Sequence, residues 1–469
     1  MVDARDPVLN HIGGADLPAA SGAVTQLVDP ATGRTHTTAP LSARVDADTA
    51  CAAAAAAYER WSTTTPAERG RALLRIADAM EAHADELTAA ESGDTGKPPA
   101  LFRADELPAI TDTLRYFAGA ARNLPGAAAG EYAEGRTSLL RREPVGVCAQ
   151  ITPWNYPLMM AAWKIGPAIA AGNTTVVKPA DTTPSSTALL ARIAAEHLPP
   201  GVFNVVCGDR DTGRALVAHP ETRLVAVTGS VRAGREIAAA AAADIKRVHL
   251  ELGGNAPVIV HGDVDVESTA SQLAAIAYYN AGQDCTAPTR LLVHADVYDA
   301  FVDAFAAYTG ALTPGTDFGP LNNASQLASV QNLLKRLPGH AKVVAGGSPL
   351  PGPGFFHEAT VVTGVRQADE IVQEEVFGPV VTVQSFTDES EVLRLANDVR
   401  YGLAASVWTN DLERAMRATR MLHTGIVWVN THGTTVSEMP HGGVGHSGYG
   451  SDLSLSGLLD YTQVKHVML

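Results

Sequence analysis

The sequence predicts an α/β protein built on parallel sheets and divided into at least two lobes. Three observations carry this expectation. Between Pro144 and Val260, short β-rich runs alternate with helical stretches, as they do where strands are joined by right-handed crossovers. A second block of the same character runs from about Val258 to Val429. A chain of 469 residues is also longer than one ordinary core can serve.

The first block opens with a strand at Val145–Ile151 that ends at Pro153, then a helix at Leu158–Ala171 that stops at Gly172–Asn173. Thr174–Val177 is the next strand. The helix Pro184–His197 follows and is closed by Pro199–Pro200–Gly201, because proline cannot continue a helix. The strand Val202–Val206, helix Thr212–His219, strand Leu224–Val227, helix Arg232–Ala243 and strand Val248–Leu250 complete it. In the second block, helices are expected at Val266–Tyr279, Val297–Thr309, Ser325–Leu337, Glu389–Asn397 and Leu412–Leu422. Strands are expected at Arg290–His294, near Val343 and Val361, and at Val380–Phe386, Ala405–Thr409 and Ile426–Asn430. The first 120 residues read as mainly helical from about Asp46. Thr137–Arg142 and Thr462–Met468 are extended pieces able to pair with each other or with another subunit.

Composition narrows the function. With 46% hydrophobic and 18% charged residues, the chain is of the folded kind. Its 35 basic and 50 acidic residues give a formal charge of −15, which repels phosphate backbones and anionic lipid; neither nucleic acid nor membrane is an expected partner. No apolar run of about 18 residues marks a membrane span. Met1–Asp16 lacks the basic start and apolar centre of a signal peptide. Cys51, Cys148, Cys207 and Cys285 are scattered and form no CxxC. No disulfide framework and no metal site is therefore expected, and four free thiols suit a reducing cytoplasm.

Ligands of parallel α/β sheets bind beyond the carboxyl ends of the strands, so the residues just after each strand matter most. Asn155, in Thr152–Pro153–Trp154–Asn155, offers a neutral amide to a developing oxyanion. Lys178 and Asp181 follow the next strand, where a ribose would lie. Gly229 and Gly234 bracket Ser230 at a helix start, a place for a pyrophosphate, though not in the GxGxxG pattern. Glu251, before Gly253–Gly254, can serve as a base if burial raises its pKa. Cys285 sits on a turn after a helix, open enough to be a nucleophile. Asp284 beside it raises the thiol pKa, so activation must come from elsewhere; a cationic nicotinamide ring is one candidate.

Taken in order, Trp154–Asn155–Tyr156–Pro157, Val177–Lys178–Pro179, Thr228–Gly229–Ser230, Glu251–Leu252–Gly253–Gly254, Gly282–Gln283–Asp284–Cys285 and Glu374–Glu375–Val376–Phe377–Gly378–Pro379 resemble the aldehyde dehydrogenase superfamily, from about Ala20 to the chain end. The resemblance implies a Rossmann-type cofactor domain (1–125 and 145–252), an α/β catalytic domain (253–445) and a β oligomerisation arm (126–144 and 446–469), hence a homo-oligomer, dimer or tetramer. It implies Cys285 as nucleophile, Glu251 as general base and Asn155 as oxyanion donor. It further implies that Ile151, Pro153, Trp154, Lys178, Asp181, Gly229, Ser230, Gly234, Leu252, Glu375 and Phe377 surround NAD(P). A cofactor-free cysteine esterase would not need Lys178, Asp181 or Glu375, and a non-catalytic scaffold would not need Cys285 with Glu251.

Within the superfamily, Tyr278–Thr286, Val429–His432 and Ser437–Gly443 are similar to 4-aminobutanal dehydrogenases, with betaine aldehyde dehydrogenases close by. An alkylammonium tail needs aromatic faces or a carboxylate. Tyr156, Trp163 and Tyr279 are the aromatic candidates and Asp112 the acidic one. His441 stands where several betaine aldehyde relatives carry an aromatic residue. Two departures from the family stand out. Basic residues usual near Gly445 and Ser451 are missing, and Asp181 replaces a common Glu. A carboxylate at 181 accepts from a ribose 2′-OH and repels a 2′-phosphate, so NAD is expected to be preferred over NADP.

Overall fold

Five parallel strands form the centre of the first sheet, in the spatial order Arg247–Leu252, Thr222–Gly229, Val147–Ile151, Thr174–Lys178 and Phe203–Val205. The chain starts in the middle at Val147–Ile151, steps outward twice to one side, then crosses to the other. The reversal leaves a crevice between the ends of Val147–Ile151 and Thr222–Gly229, the position where such sheets bind ligands. In this computed structural model, residues 6–126 and 128–469 are described; Met1–Arg5, where the segment read as free of a signal peptide begins, and Ala127 of the expected arm lie outside the described residues.

Each expected strand and helix of both blocks is present, with ends moved by a few residues. Leucine- and alanine-rich helices cover the sheet because its strands are buried on both faces. The helix Pro157–Ala171 is the most enclosed: every residue except Met159 is buried. Pro157 suits its first turn, where no backbone donor is needed, and Gly172 ends it at φ 98°. An all-round apolar helix is a core helix, yet this one carries Lys164, fully buried with Nζ 3.0 Å from Asp452 Oδ2.

The N-terminal region holds strands that the helical expectation did not include. Asn10–Ile12 and Ala15–Leu17 form a hairpin through Gly13–Gly14 at the edge beside Phe203–Val205, and Val24–Asp29 pairs with Arg34–Pro40. At the other edge Gly448–Tyr449 adds antiparallel to Arg247–Leu252.

The second sheet runs Lys342–Ala345, Thr360–Thr363, Val380–Phe386, Pro288–His294, Ala256–Val260, Ala404–Trp408 and Ile426–Val429, parallel except for its first strand. Thr462–Met468 pairs antiparallel with Arg136–Pro144, which pairs with Gly130–Ala133. Of residues 446–469, only this last strand joins the three-stranded sheet; Leu458 and Tyr461 are built into the core of the first lobe. Among the described residues no helix is long and apolar enough to cross a membrane, and no cluster of His, Cys, Asp and Glu is arranged to hold a metal.

Arg290 clamps the second sheet to its surroundings. It is buried, with Nε donating to Asn255 O at 3.0 Å, Nη1 to Leu395 O at 3.1 Å and Nη2 to Ala396 O at 2.8 Å. Burial lowers its pKa to about 9. Arg290→Met keeps the volume but strands three carbonyls, costing about 3 kcal/mol. The thermal midpoint is expected to fall by roughly 5 °C. Calorimetry that finds no change would show that these contacts add nothing to stability.

Candidate active site

The crevice of the first sheet faces the second lobe, and the two enclose a cavity of about 880 Å³. Into it the turn after Ile151 delivers Asn155. Its Nδ2 donates to Gln283 O at 3.0 Å, while Asn280 Nδ2 donates to Asn155 O at 3.0 Å and to Gln283 O at 3.1 Å. These amides tie the Asn155 turn to the segment just before Cys285.

That segment has an unusual backbone. The helix Val266–Ala277 gives way to a tight turn, Tyr279–Gly282, in which Asn280, Ala281 and Gly282 hold φ of 51°, 56° and 67°. A left-handed residue other than glycine costs roughly 1–2 kcal/mol. Gln283 holds the turn in place: its Nε2 donates to Asn280 O at 2.9 Å and Pro320 O at 3.2 Å, and its Oε1 accepts from Asn322 N at 2.8 Å. The turn lifts Cys285 out of the core, and of the four cysteines it alone is not buried.

The cleft around Cys285 is nevertheless deep. Loss of hydration pushes the thiol well above its usual range, and Asp284, Glu251 and Glu375 push it further in the same direction. Glu251 lies near the carboxyl end of Arg247–Leu252. Its Oε2 is 3.2 Å from His441 Nδ1, and its buried Oε1 has no partner. Burial raises its pKa, against the pull of His441. Burial likewise pushes Glu375 up to about 8, although its Oε1 accepts from Gly254 N at 2.9 Å. The loop carrying His441 meets the second lobe backbone to backbone: a Cβ on Gly425 would lie 1.7 Å from Gly442 O.

A half-buried thiol, a buried carboxylate and a neutral amide thus converge from three elements. The aldehyde dehydrogenase family profile matches residues 18–467. The chain belongs to the aldehyde dehydrogenase family. It is an oxidoreductase acting on aldehydes, in a family that uses NAD(P). The betaine aldehyde dehydrogenase of Bacillus subtilis (strain 168) is 38% identical over 471 residues, covering 97% of this chain and 96% of that protein. A point mutant of Staphylococcus aureus betaine aldehyde dehydrogenase in complex with NAD+ is 34% identical, with a TM-score of 0.95 over 98% of this chain and 97% of that one. PnpE from Pseudomonas sp. WBC-3 is 37% identical, with a TM-score of 0.96 over 99% and 97%. These names include betaine aldehyde dehydrogenases, whereas the sequence pointed first to 4-aminobutanal dehydrogenases.

Most of the expected site residues of this aldehyde dehydrogenase line the one cavity. They are Asn155, Glu251 and Cys285; Pro153, Trp154, Gly229, Ser230, Leu252, Glu375 and Phe377; and Tyr156, Trp163, Tyr279 and His441. Trp154 and Phe377 meet edge to face at 5.3 Å, and Phe377 is held at φ 52° with its carbonyl accepting from Gln326 Nε2 at 2.7 Å. The dinucleotide fits the residues present. A Cβ on Gly229 would meet nothing within 4 Å, leaving space over the start of the helix Val231–Ala242, which Ser230 caps. Thr228 Oγ1 is buried there without a partner. Gly234 lies below the crevice, where a Cβ would be 2.6 Å from the Leu252 side chain; it lets helix and strand close up.

Ile151, Lys178 and Asp181 do not line this cavity. Ile151 packs with Val227 and Leu252 inside the sheet layer. Lys178 and Asp181 lie at or beyond the end of the adjacent strand. Lys178 Nζ donates to Pro179 O at 2.7 Å and Gly208 O at 3.1 Å, and Asp181 is exposed. Asp112 is the correction among the tail residues. It is exposed and accepts from Ser437 Oγ at 2.9 Å, because only the start of its helix, near Ala109, reaches the cavity. Two further acids that do reach it are Asp105 and Glu106, on a wide helical turn at Phe102–Glu106. Such turns gather at functional sites but have no sequence signature. Glu106 pairs with Lys97 at 2.8 Å, and Lys97 Nζ stands 3.9 Å from the centre of the Tyr156 ring. Tyr156 in turn donates to Asp284 Oδ2 at 2.9 Å.

The raised thiol has a direct consequence. Alkylation of Cys285 by iodoacetamide in the cofactor-free enzyme is expected to be slow at pH 7 and to climb steadily past pH 9. Cys51 and Cys207, pushed by burial to about 12, and Cys148, pushed higher still, are expected to stay unmodified. Peptide mapping that shows fast labelling of Cys285 below pH 7 would contradict this electrostatic account.

Proposed function

We propose that this dehydrogenase oxidises an aldehyde bearing a cationic amino tail to its carboxylic acid, with NAD as acceptor and 4-aminobutanal as the leading substrate. The observation that carries the reading is the convergence of Cys285, Glu251 and Asn155 on a cavity also lined by Tyr156, Trp163, Tyr279, Asp105 and Glu106. Cys285 Sγ attacks the aldehyde carbon, and the new oxyanion is held by the Asn155 amide and the Cys285 backbone N–H. Trp154, Gly229, Ser230, Glu375 and Phe377 would hold NAD+, which would supply the hydride acceptor that turns the adduct on Cys285 into a thioester. Glu251 then removes a proton from water; the hydroxide adds to the thioester carbonyl, the C–S bond breaks and the acid leaves. A hydrolytic base in this place argues against transfer of the acyl group to another acceptor.

The tail chemistry favours a primary amine. One face of Tyr156 is taken by Lys97, and Glu106 is neutralised by the same ammonium. His441 is engaged with Glu251 instead of completing an aromatic cage. Trp163 remains, together with Tyr279 and Asp105, which are hydrogen-bonded to each other, and only an amine with N–H groups can donate to that carboxylate. Betaine aldehyde is the second reading, favoured by the names of the relatives at 38% and 34% identity. The arm built on Thr462–Met468 suits a homo-oligomer, and the unpaired thiols suit the cytoplasm.

Three outcomes are expected. Cys285→Ala abolishes NADH formation, whereas Glu251→Gln keeps a first-turnover burst and slows steady turnover by about 100-fold or more, read by stopped-flow absorbance. Unchanged steady turnover in either variant would overturn the assignment. NAD gives the higher kcat/KM, since Asp181 repels a 2′-phosphate, and a higher value with NADP would reverse that assignment. Finally, kcat/KM falls in the order 4-aminobutanal, betaine aldehyde, butanal. Butanal equal to 4-aminobutanal would mean that the amine is not read.

A further inference from the structure

The His441–Glu251 contact is not required to fill space. Trp163 already packs against the His441 ring, with centroids 5.0 Å apart, and a phenyl ring would fill the same place. What an imidazole adds is Nδ1, 3.2 Å from Glu251 Oε2, inside the cavity that holds Cys285. The backbone that carries the ring is fixed. His441 N donates to Asp452 O at 2.9 Å, and Asp452 N donates to His441 O at 2.7 Å. One oxygen of Glu251 is therefore held while Oε1, buried and without a partner, stays available. Room for that oxygen depends on Gly442, where a Cβ would come within 3.2 Å of Oε1.

We infer that His441 is a positioning residue for the base: it anchors Oε2 of Glu251 by a charge-assisted hydrogen bond, so that Glu251 stays a carboxylate and offers Oε1 to the hydrolytic water. The inference rests on the reading of Glu251 as that base. Charges facing the pair come from several elements. Asp452 and Asp284 act on His441, and Asp452 and His249 act on Glu251. Lys164 and His249 in turn hold Asp452, at 3.0 Å and 3.3 Å. Burial lowers the His441 pKa, but the bond to Glu251 and the two aspartates reverse this and leave it raised; burial raises Glu251, and His441 opposes that rise. The two groups are in contact and titrate as a pair. Below the lower step Glu251 is protonated and cannot accept a proton from water, so the acid limb of turnover reports that step.

The sign of the test follows. His441→Phe keeps the ring packing on Trp163 and removes the donor, so the pKa of Glu251 rises. The acid limb of the hydrolytic step is expected to move to higher pH by about one unit, an approximately tenfold loss at a pH on the limb. The first-turnover NADH burst is expected to be unchanged. His441→Gln restores an N–H donor without the ring and is expected to recover part of the shift, and it stands in if the Phe variant does not fold. An acid limb that stays in place in either soluble variant, or a change confined to KM for cationic aldehydes, would overturn the inference and leave His441 as packing or tail contact. Glu251→Gln, measured alongside, separates the two failures: normal steady turnover there would sink the reading of Glu251, whatever His441 does.

Discussion

Three of the carboxylates that line a poorly hydrated cavity act on its one thiol, and much of the site can be understood as a response to that crowding. Asp284, Glu251 and Glu375 all raise the Cys285 thiol, so the site without its cofactor favours neutral sulfur. Each carboxylate has its own compensation. Asp284 accepts from Tyr156 and from Thr286 N at 2.7 Å, Glu375 accepts from Gly254 N, and Glu251 meets His441. Asn155 adds a neutral amide to this cavity, a polar group that does not itself titrate. A negative interior also explains why positive charge would be welcome here, whether on a nicotinamide ring or on a substrate tail.

The parallel lobes were legible because their signal is repetitive. Strands such as Val147–Ile151 and Val380–Phe386 are short apolar runs between clear helices, and helices such as Pro157–Ala171 begin and end at proline and glycine. The N-terminal strands carried no such signal. Asn10–Ile12 and Ala15–Leu17 are three residues each, and Arg34–Pro40 is mostly polar, held by pairing across a hairpin and not by its own pattern. The last 24 residues were harder still: Gly448–Tyr449 and Leu458 find their places only once the first lobe exists to receive them.

The site divided along the same line. Most residues inside motifs, such as Asn155, Glu251, Cys285, Glu375 and Phe377, reach the cavity, whereas Lys178 of Val177–Lys178–Pro179 does not. Trp163 stands seven residues after Tyr156, a helical spacing that puts both on similar faces, and the two rings share one cluster. Asp112 failed because sequence gives the face of a helix but not how far along it a cavity extends. Asp105 and Glu106 were out of reach because the wide turn that carries them breaks the periodicity on which such reasoning depends. The left-handed run at Asn280–Gly282 is likewise a tertiary product, held by Gln283 and the Asn155 turn.

The bare backbone contact between Gly425 and Gly442 bears on how this enzyme can change. The loop holding His441 has no room there for even one added carbon, so its geometry cannot be adjusted by small steps at that point. Met159, Trp163 and Tyr279, by contrast, meet the cavity through side chains that fill volume. Innovation in this protein is thus channelled: the walls of the cavity can drift one side chain at a time, while the loop that sets His441 against Glu251 stays locked.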